Sequence, residues 1–382
     1  MRVVSFFSGA GGMDLGFVLA GHNIVWANDF DQYAVQSYNY NIGEFLEHRA
    51  ELGDITHILN GDRKDIDNLL PECDIIIGGF PCQGFSIANV NRNMEDERNF
   101  LYLELLKAIS VKQPPFFLLE NVKGLENMEQ GTILNMILDD LELAGTQNSR
   151  VFEGDGPGYK VVYNVLNAYN FGVPQNRERV IILGVRNDVN NQQVINHILP
   201  AENLINNRKR LYVRTTHSSN SQLVDDILPH EKVNYLYNNW RNGDLDFIQN
   251  HFIGRQEIYS ISNLRDAIGD LPYDFDENNA VYFNHTGSRC RVNISNRVGN
   301  RATIWERHAP TIMGRGSGTG GPLIPPHPEQ HRRLSVREVA RIQTFPDLFV
   351  FQGSNSAGYR QIGNAVPVLM AYNIAKIFPR EL

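Results

Sequence analysis

Short apolar runs alternate with helical patterns through the first 186 residues of this chain, and no other feature limits its fold as much. Arg2 to Phe7 reads as a strand, Gly9-Ala10-Gly11-Gly12 as a turn, and Met13 to Ala20 as a helix. Strands follow at Ile24 to Ala27, Asp74 to Ile77, Phe116 to Leu119 and Val180 to Val185, with helices over Asp31 to Tyr40, Arg98 to Ser110 and Gly131 to Leu143. Such alternation predicts an α/β protein with a doubly wound, mostly parallel sheet and right-handed crossovers. After Arg186 the periodicity weakens and Asn, Gln and Arg become frequent, as expected of a smaller, irregular domain over residues 187–354. Within it, Ser335 to Thr344 is an amphipathic helix with a Ser335–Glu338 capping box. The segment 355–382 holds an apolar helical pattern from Ala365 to Phe378 and is expected to complete the domain begun by residues 1–186.

In open α/β sheets, ligands and chemistry sit beyond the carboxyl ends of the strands. Gly79-Phe80-Pro81-Cys82-Gln83-Gly84 stands there, straight after the buried run Cys73 to Gly78. A thiol stiffened by Pro81 and closely approached through Gly79 and Gly84 suits a nucleophile; a free cysteine is more often a small buried hydrophobe. Ser8 to Gly12 follows a strand and opens a helix, so backbone can approach a nucleotide-like ligand. Asp29 lies 17 residues after Gly12, near the spacing at which an acid meets a ribose hydroxyl. Phe30 beside it can stack on an adenine face. This pattern suits an adenosine-containing cofactor without separating NAD from S-adenosylmethionine, and a nicotinamide oxidoreductase stays open on it. Glu120, after four apolar residues, is either a surface carboxylate or a buried acid with a raised pKa. Alternation puts Arg177 and Arg179 on one face, aimed together at something anionic or rich in carbonyls, or else on a solvated edge.

A chain of 382 residues suggests two domains. Three cysteines (Cys73, Cys82, Cys290) without CxxC spacing argue against a disulfide framework or zinc site and for a reducing, cytoplasmic setting. No apolar stretch approaches the roughly 18 residues of a membrane span. The net charge is −8, yet Thr286 to Arg315 holds six arginines against Glu306; that window is +5 and leaves −13 elsewhere. A basic stripe on an acidic body fits phosphate contact, although a solvated loop has the same composition.

The ordered set FFSGAGGMDLGF, GGFPCQGFS, ENV, QNRER, RRLSVREVARIQTFPD and GYRQIGNAVP resembles that of the DNA (cytosine-5) methyltransferases, most closely the bacterial modification enzymes. The likeness covers residues 1–186 and about 305–378, and the stretch between corresponds to the family's variable target-recognition domain. It implies a Rossmann-like S-adenosylmethionine-dependent methyltransferase that flips a cytosine out of double-stranded DNA and methylates its C5. Cys82 would be the nucleophile, Glu120 would protonate N3, Arg179 would bond O2, and Arg177 would support the site. Phe7, Gly9, Gly11, Gly12, Asp29, Phe30, Asp54, Ile55, Gly79, Pro81, Leu101, Asn364 and Val366 would surround S-adenosyl-L-methionine. Asp29 stands where the family commonly has Glu. Thr311 and Arg315 beside the Gly-rich loop, with Arg289, Arg291 and Arg297, would touch DNA. The implied partners are double-stranded DNA and a restriction endonuclease acting on the same site without a stable complex. The expected form is a nucleoid-associated, cytoplasmic monomer. The rivals are a tRNA cytosine-C5 methyltransferase and a catalytically silent DNA-binding relative.

Overall fold

A seven-stranded sheet organises the chain in the order β3-β2-β1-β4-β5-β7-β6. The computed structural model describes residues 1–81, 101–189, 204–205, 208–209, 229–243, 262–275, 282–287, 291–295, 300–314 and 324–380. The strands are β1 (Arg2–Phe6), β2 (Asn23–Asp29), β3 (Glu51–Leu52), β4 (Ile75–Gly78), β5 (Phe116–Val122), β6 (Tyr159–Asn167) and β7 (Glu178–Arg186). A separate antiparallel pair is formed by β8 (Leu204–Ile205) and β9 (Arg208–Lys209). The helices are α1 (Gly12–Leu19), α2 (Gln32–Asn41), α3 (Ile55–Ile58), α4 (Arg63–Leu69), α5 (Tyr102–Lys112) and α6 (Thr132–Glu142). Beyond them lie α7 (Pro229–Arg241), α8 (Leu264–Ile268), α9 (Val336–Ile342), α10 (Asn355–Asn364) and α11 (Val368–Ala375).

Strands β3, β2, β1, β4 and β5 run parallel, whereas β7 lies antiparallel between β5 and β6. The strand–helix rhythm foretells the parallel part, but not β6, whose polar Lys160, Asn164 and Asn167 interrupt its apolar run. Strand side chains alternate between the two faces. Val3, Ile75, Ile77, Phe116, Leu118, Ile181 and Leu183 pack on one face with Leu15, Phe17 and Leu369. Val4, Ile76, Phe117, Leu119 and Ile182 pack on the other with Ile66, Leu105, Ile109 and Leu138. Because both faces are covered, the central strands read as continuous apolar runs. Helix α1 lies close on α11, since a Cβ on Gly16 would run into Ala371.

The first apolar cluster also takes in Val233, Tyr237, Leu264, Val336, Val339 and Ile342, so residues on both sides of position 186 share one core. Helix α9 begins where the sequence places it. Ser335 Oγ accepts from Glu338 N–H at 3.0 Å, and Glu338 returns the bond to Ser335 N–H at 2.6 Å. Two fully buried arginines leave this helix. Arg337 donates to the carbonyls of Phe283, Pro346 and Phe349, and Arg341 pairs with Asp347 and Asp270. Among the described residues, no helix is long and apolar enough to cross a membrane.

Candidate active site

The parallel register brings the carboxyl ends of β2, β1, β4 and β5 to one edge: Phe6 lies beside Asn28 and Gly78, and Gly78 beside Leu119. Strand β7 starts at that edge, with Arg179 opposite Val122. At the end of β1 the chain turns sharply. Phe7 takes a left-handed φ of 53°, a conformation uncommon outside glycine. Gly9 and Gly11 follow with φ of 56° and 89°. A Cβ on Gly11 would crowd Ile42 and stand 2.8 Å from Tyr38, and one on Gly12 would strike the Val366 carbonyl; above Gly9 there is open space. Asp29, which ends β2, is buried, and its carboxylate accepts from Gly9 N–H and Asp31 N–H, both at 2.8 Å. Burial holds this carboxyl above its ordinary pKa. The neighbouring Phe30 ring is 74% exposed.

These features fit an adenosine-bearing cofactor: open space over a glycine turn, a buried acid anchored to that turn, and a bare aromatic ring beside both. Asp54 is exposed and caps α3 through Thr56 N–H at 3.0 Å, with buried Ile55 next to it. Pro81 and Leu101 are half-buried on either side of a stretch outside the described residues. Asn364 is exposed at the end of α10, and Val366 is buried against Gly12.

The second half of the edge is built on β5. Glu120 is buried, and its carboxylate lies 2.8 Å from Arg179 Nε. A Cβ on Gly79 would stand 3.0 Å from Glu120 Oε2, so the backbone leading to position 82 passes directly against this acid. Asn121 Nδ2 donates to the Phe80 carbonyl at 3.0 Å and fixes the same turn. Burial pulls the Arg179 guanidinium below its ordinary pKa, while Glu120 acts in the opposite sense.

Arg177 and Arg179 do not aim together, contrary to the expectation from strand alternation. Arg177 precedes β7 and turns into the body, where it is fully buried. It donates to the carbonyls of Ile312 at 2.8 Å and of Gly363 and Ala365 at 2.9 Å. Arg177 thus meets carbonyls alone, while Arg179 meets the Glu120 carboxylate and, through Nη1, the Glu178 carbonyl at 2.7 Å. Cys82, Arg289, Arg297 and Arg315 lie outside the described residues. Arg291 is exposed, and Thr311 Oγ1 donates to the Asn176 carbonyl at 2.7 Å. Cys73 is buried, and burial pushes its thiol up to about 12, which leaves it an inert core group. Residues not anticipated as parts of the site are Asn121, Gln175 and Gln343. All three lie inside the motifs given above, and only their bonding separates them from their neighbours.

The crystal structure of the S. pombe Dnmt2 methyltransferase superposes with a TM-score of 0.59 at 19% identity, covering 99% of this chain and 98% of that one. The two chains thus share an α/β fold, built in this chain on one mostly parallel, seven-stranded sheet. Residues 1–379 match the family model of the C-5 cytosine-specific DNA methylases, and the chain belongs to that family. Among curated relatives, the Type II methyltransferase M.BsuRI of Bacillus subtilis is 32% identical over 98% of this chain and 78% of its own length. The Type II methyltransferase M.FnuDI of Fusobacterium nucleatum is 34% identical over 98% and 93%.

Proposed function

We propose that this DNA cytosine-5 methyltransferase is the modification enzyme of a restriction–modification pair, using S-adenosyl-L-methionine to methylate one cytosine within a specific duplex sequence. The observation that carries the reading is the contact of Gly79 with Glu120, itself 2.8 Å from Arg179. Three residues after Gly79, Cys82 would add as thiolate to C6 of the cytosine. That bond moves negative charge toward N3 and O2, where Glu120 would deliver a proton and Arg179 would hydrogen-bond the oxygen. C5 thereby becomes electron-rich and forms the new carbon–carbon bond. Loss of the C5 proton to a base, breaking of the C6–sulfur bond and return of the N3 proton to Glu120 restore the aromatic ring, the thiolate and the acid. Phe7, Gly9, Gly11, Gly12, Asp29, Phe30, Asp54, Ile55, Gly79, Pro81, Leu101, Asn364 and Val366 would hold S-adenosylmethionine, whose sulfonium supplies the electrophilic methyl group.

Chemistry at C5 and C6 requires the base to leave the stack, which costs a few kcal/mol. Phosphate contacts from Arg289, Arg291, Arg297, Thr311 and Arg315 would offset that cost. The site would be read by residues 187 to about 300. The Type II relatives support pairing with an endonuclease of the same site.

Bisulfite sequencing of DNA from cells expressing the chain is expected to show one fully converted-resistant cytosine in one short motif, and none with Cys82→Ala. Duplexes carrying 5-fluorocytosine at that position should trap the wild-type chain covalently when cofactor is present, because fluorine cannot leave C5 as a proton does. Turnover by Cys82→Ala, or no adduct on the fluorinated site, would overturn the mechanism.

A further inference from the structure

Three segments meet in a buried polar seam behind the reacting edge: residues 174–179 entering β7, residues 309–314, and residues 362–366 leaving α10. Gln175 and Gln343 are both fully buried. Ile312 N–H donates to Gln175 Oε1 at 2.9 Å, and Gln175 Nε2 donates to Gln343 Oε1 at 3.0 Å. Gln343 Nε2 donates in turn to the Ile362 carbonyl at 2.7 Å and the Ala365 carbonyl at 3.3 Å. A continuous run of amide hydrogen bonds thus links the segment that bears Thr311 to the end of α10 and the residues after it, which include Asn364 and Val366.

Backbone contact reinforces this run. A Cβ on Gly363 would strike the Met313 backbone, and one on Gly314 would strike the Asn364 side chain. Arg177 ties the same two segments through the Ile312, Gly363 and Ala365 carbonyls. At the far end, the Val366 carbonyl rests on Gly12 of the glycine turn. Thr344, directly after Gln343, is buried with a left-handed φ of 57°, a strained conformation for a β-branched residue. Its Oγ1 accepts from Leu369 N–H at 3.0 Å, and the Gln343 carbonyl accepts from Val368 N–H at 3.2 Å, so the start of α11 holds the bend.

We propose that Gln175 and Gln343 are positioning residues that seat residues 309–314 against the turn 362–366 and thereby couple cofactor binding to DNA binding. Neither glutamine touches a substrate in this role. Their amides set the distance between two walls, and an unpaired buried amide leaves both walls free to shift. Coupling between sites is reciprocal, so a bound cofactor tightens DNA by the same factor by which DNA tightens the cofactor. The inference rests on the proposed placing of cofactor at Asn364 and Val366 and of DNA at Thr311.

The test uses the full chain, S-adenosylhomocysteine, and a duplex carrying the site mapped by bisulfite sequencing. Duplex affinity is measured with and without S-adenosylhomocysteine for wild type, Gln343→Met and Gln175→Met, each with a thermal melt and a single-turnover methylation rate. Wild type should bind the duplex about 5- to 150-fold more tightly with S-adenosylhomocysteine, the usual span of coupling between two sites. Both variants should lose most of that gain and slow in single turnover, with duplex affinity in the absence of S-adenosylhomocysteine nearly unchanged. If either methionine variant does not fold, asparagine at the same position (Gln343→Asn or Gln175→Asn), which keeps the amide and shortens its reach, replaces it with the same expectation. Lower melting temperatures with coupling intact, or no coupling in wild type, would overturn the proposal. A wild-type chain that binds no S-adenosylhomocysteine and methylates no cytosine would instead refute the functional reading.

Discussion

Two clusters of buried charge in this molecule are put to opposite uses. At the sheet edge, Arg179 and Glu120 form a pair whose side chains keep 12% and 11% exposure. In α9, Arg337 and Arg341 are sealed. Arg337 meets three carbonyls, while Arg341 meets Asp347 through Nε at 2.7 Å and Nη2 at 2.8 Å, and Asp270 through Nη1. Asn234 Nδ2 completes Asp347 at 2.8 Å. The two sealed arginines spend their hydrogen bonds on joining α9 to the loops around it. The edge pair stands beside Gly79, on the backbone that leads to position 82. Buried charge alone therefore marks no ligand site; what sets the proposed catalytic pair apart is its place at the carboxyl ends of the strands.

The largest expected difference separates these clusters. Glu120→Gln should slow methyl transfer about 10²- to 10⁴-fold, the usual worth of a positioned proton donor, and lose less stability than Arg341→Met because the glutamine carbonyl oxygen still accepts from Arg179. Arg341→Met should do the reverse. It strands Asp347, whose side chain is mostly buried, and removing one partner of a buried pair costs about 3–5 kcal/mol. The rate per folded molecule should stay within a few-fold of wild type. Single-turnover rates and urea unfolding on both variants decide the matter; a Glu120→Gln chain that loses more stability than activity would break the contrast.

A third buried charge sharpens it. Asp14 in α1 is fully buried, and its carboxylate accepts from Ser5 Oγ–H at 2.8 Å and Tyr38 O–H at 2.9 Å. Burial, only partly offset by these bonds, pushes its pKa up from 3.8 to about 6. The folded state thus holds the proton more tightly than the unfolded chain. Its contribution to stability is fully present below pH 3.8 and is lost as pH rises through 6. Between those limits the stability of wild type relative to Asp14→Asn should fall by about 3 kcal/mol as pH rises. Urea unfolding of both chains at several pH values measures it, and a flat difference would mean that the carboxyl is not strained by its burial.

Much of this arrangement is legible in the sequence because its causes are local. Ile75-Ile76-Ile77 can only be a buried strand next to Gly78, and Ser335 with Glu338 announces the start of α9. Asp29 and the glycine turn are legible for the same reason: each ends its own strand. Arg177 is different. Strand alternation places it with Arg179, but its partners at Ile312, Gly363 and Ala365 lie more than a hundred residues away. Strand β7 is itself legible at Val180 to Val185, but its antiparallel pairing with β5 is hidden, because its apolar residues fit a parallel or an antiparallel neighbour. Long-range polar pairing, which periodicity does not encode, accounts for the Gln175–Gln343 contact as well.

The smallest expected effect comes from a pair with neither burial nor a reacting neighbour. Arg360 on α10 meets Asp31 at 2.7 Å, with side-chain exposures of 44% and 18%. Asp31 also caps α2, accepting from Tyr33 N–H at 3.0 Å and Ala34 N–H at 3.3 Å. The two jobs separate by substitution. Arg360→Gln and Asp31→Asn remove the pair but leave the cap, so each should cost at most about 1 kcal/mol at low salt. High salt should erase that difference, since screening at 1 M acts within about 3 Å. Asp31→Ala removes the cap too and should cost about 1 kcal/mol more at any salt concentration. Urea unfolding of the three variants at low and high salt reads both terms. If Arg360→Gln costs as much as Arg341→Met, exposure is not what separates weak from strong charge pairs in this fold.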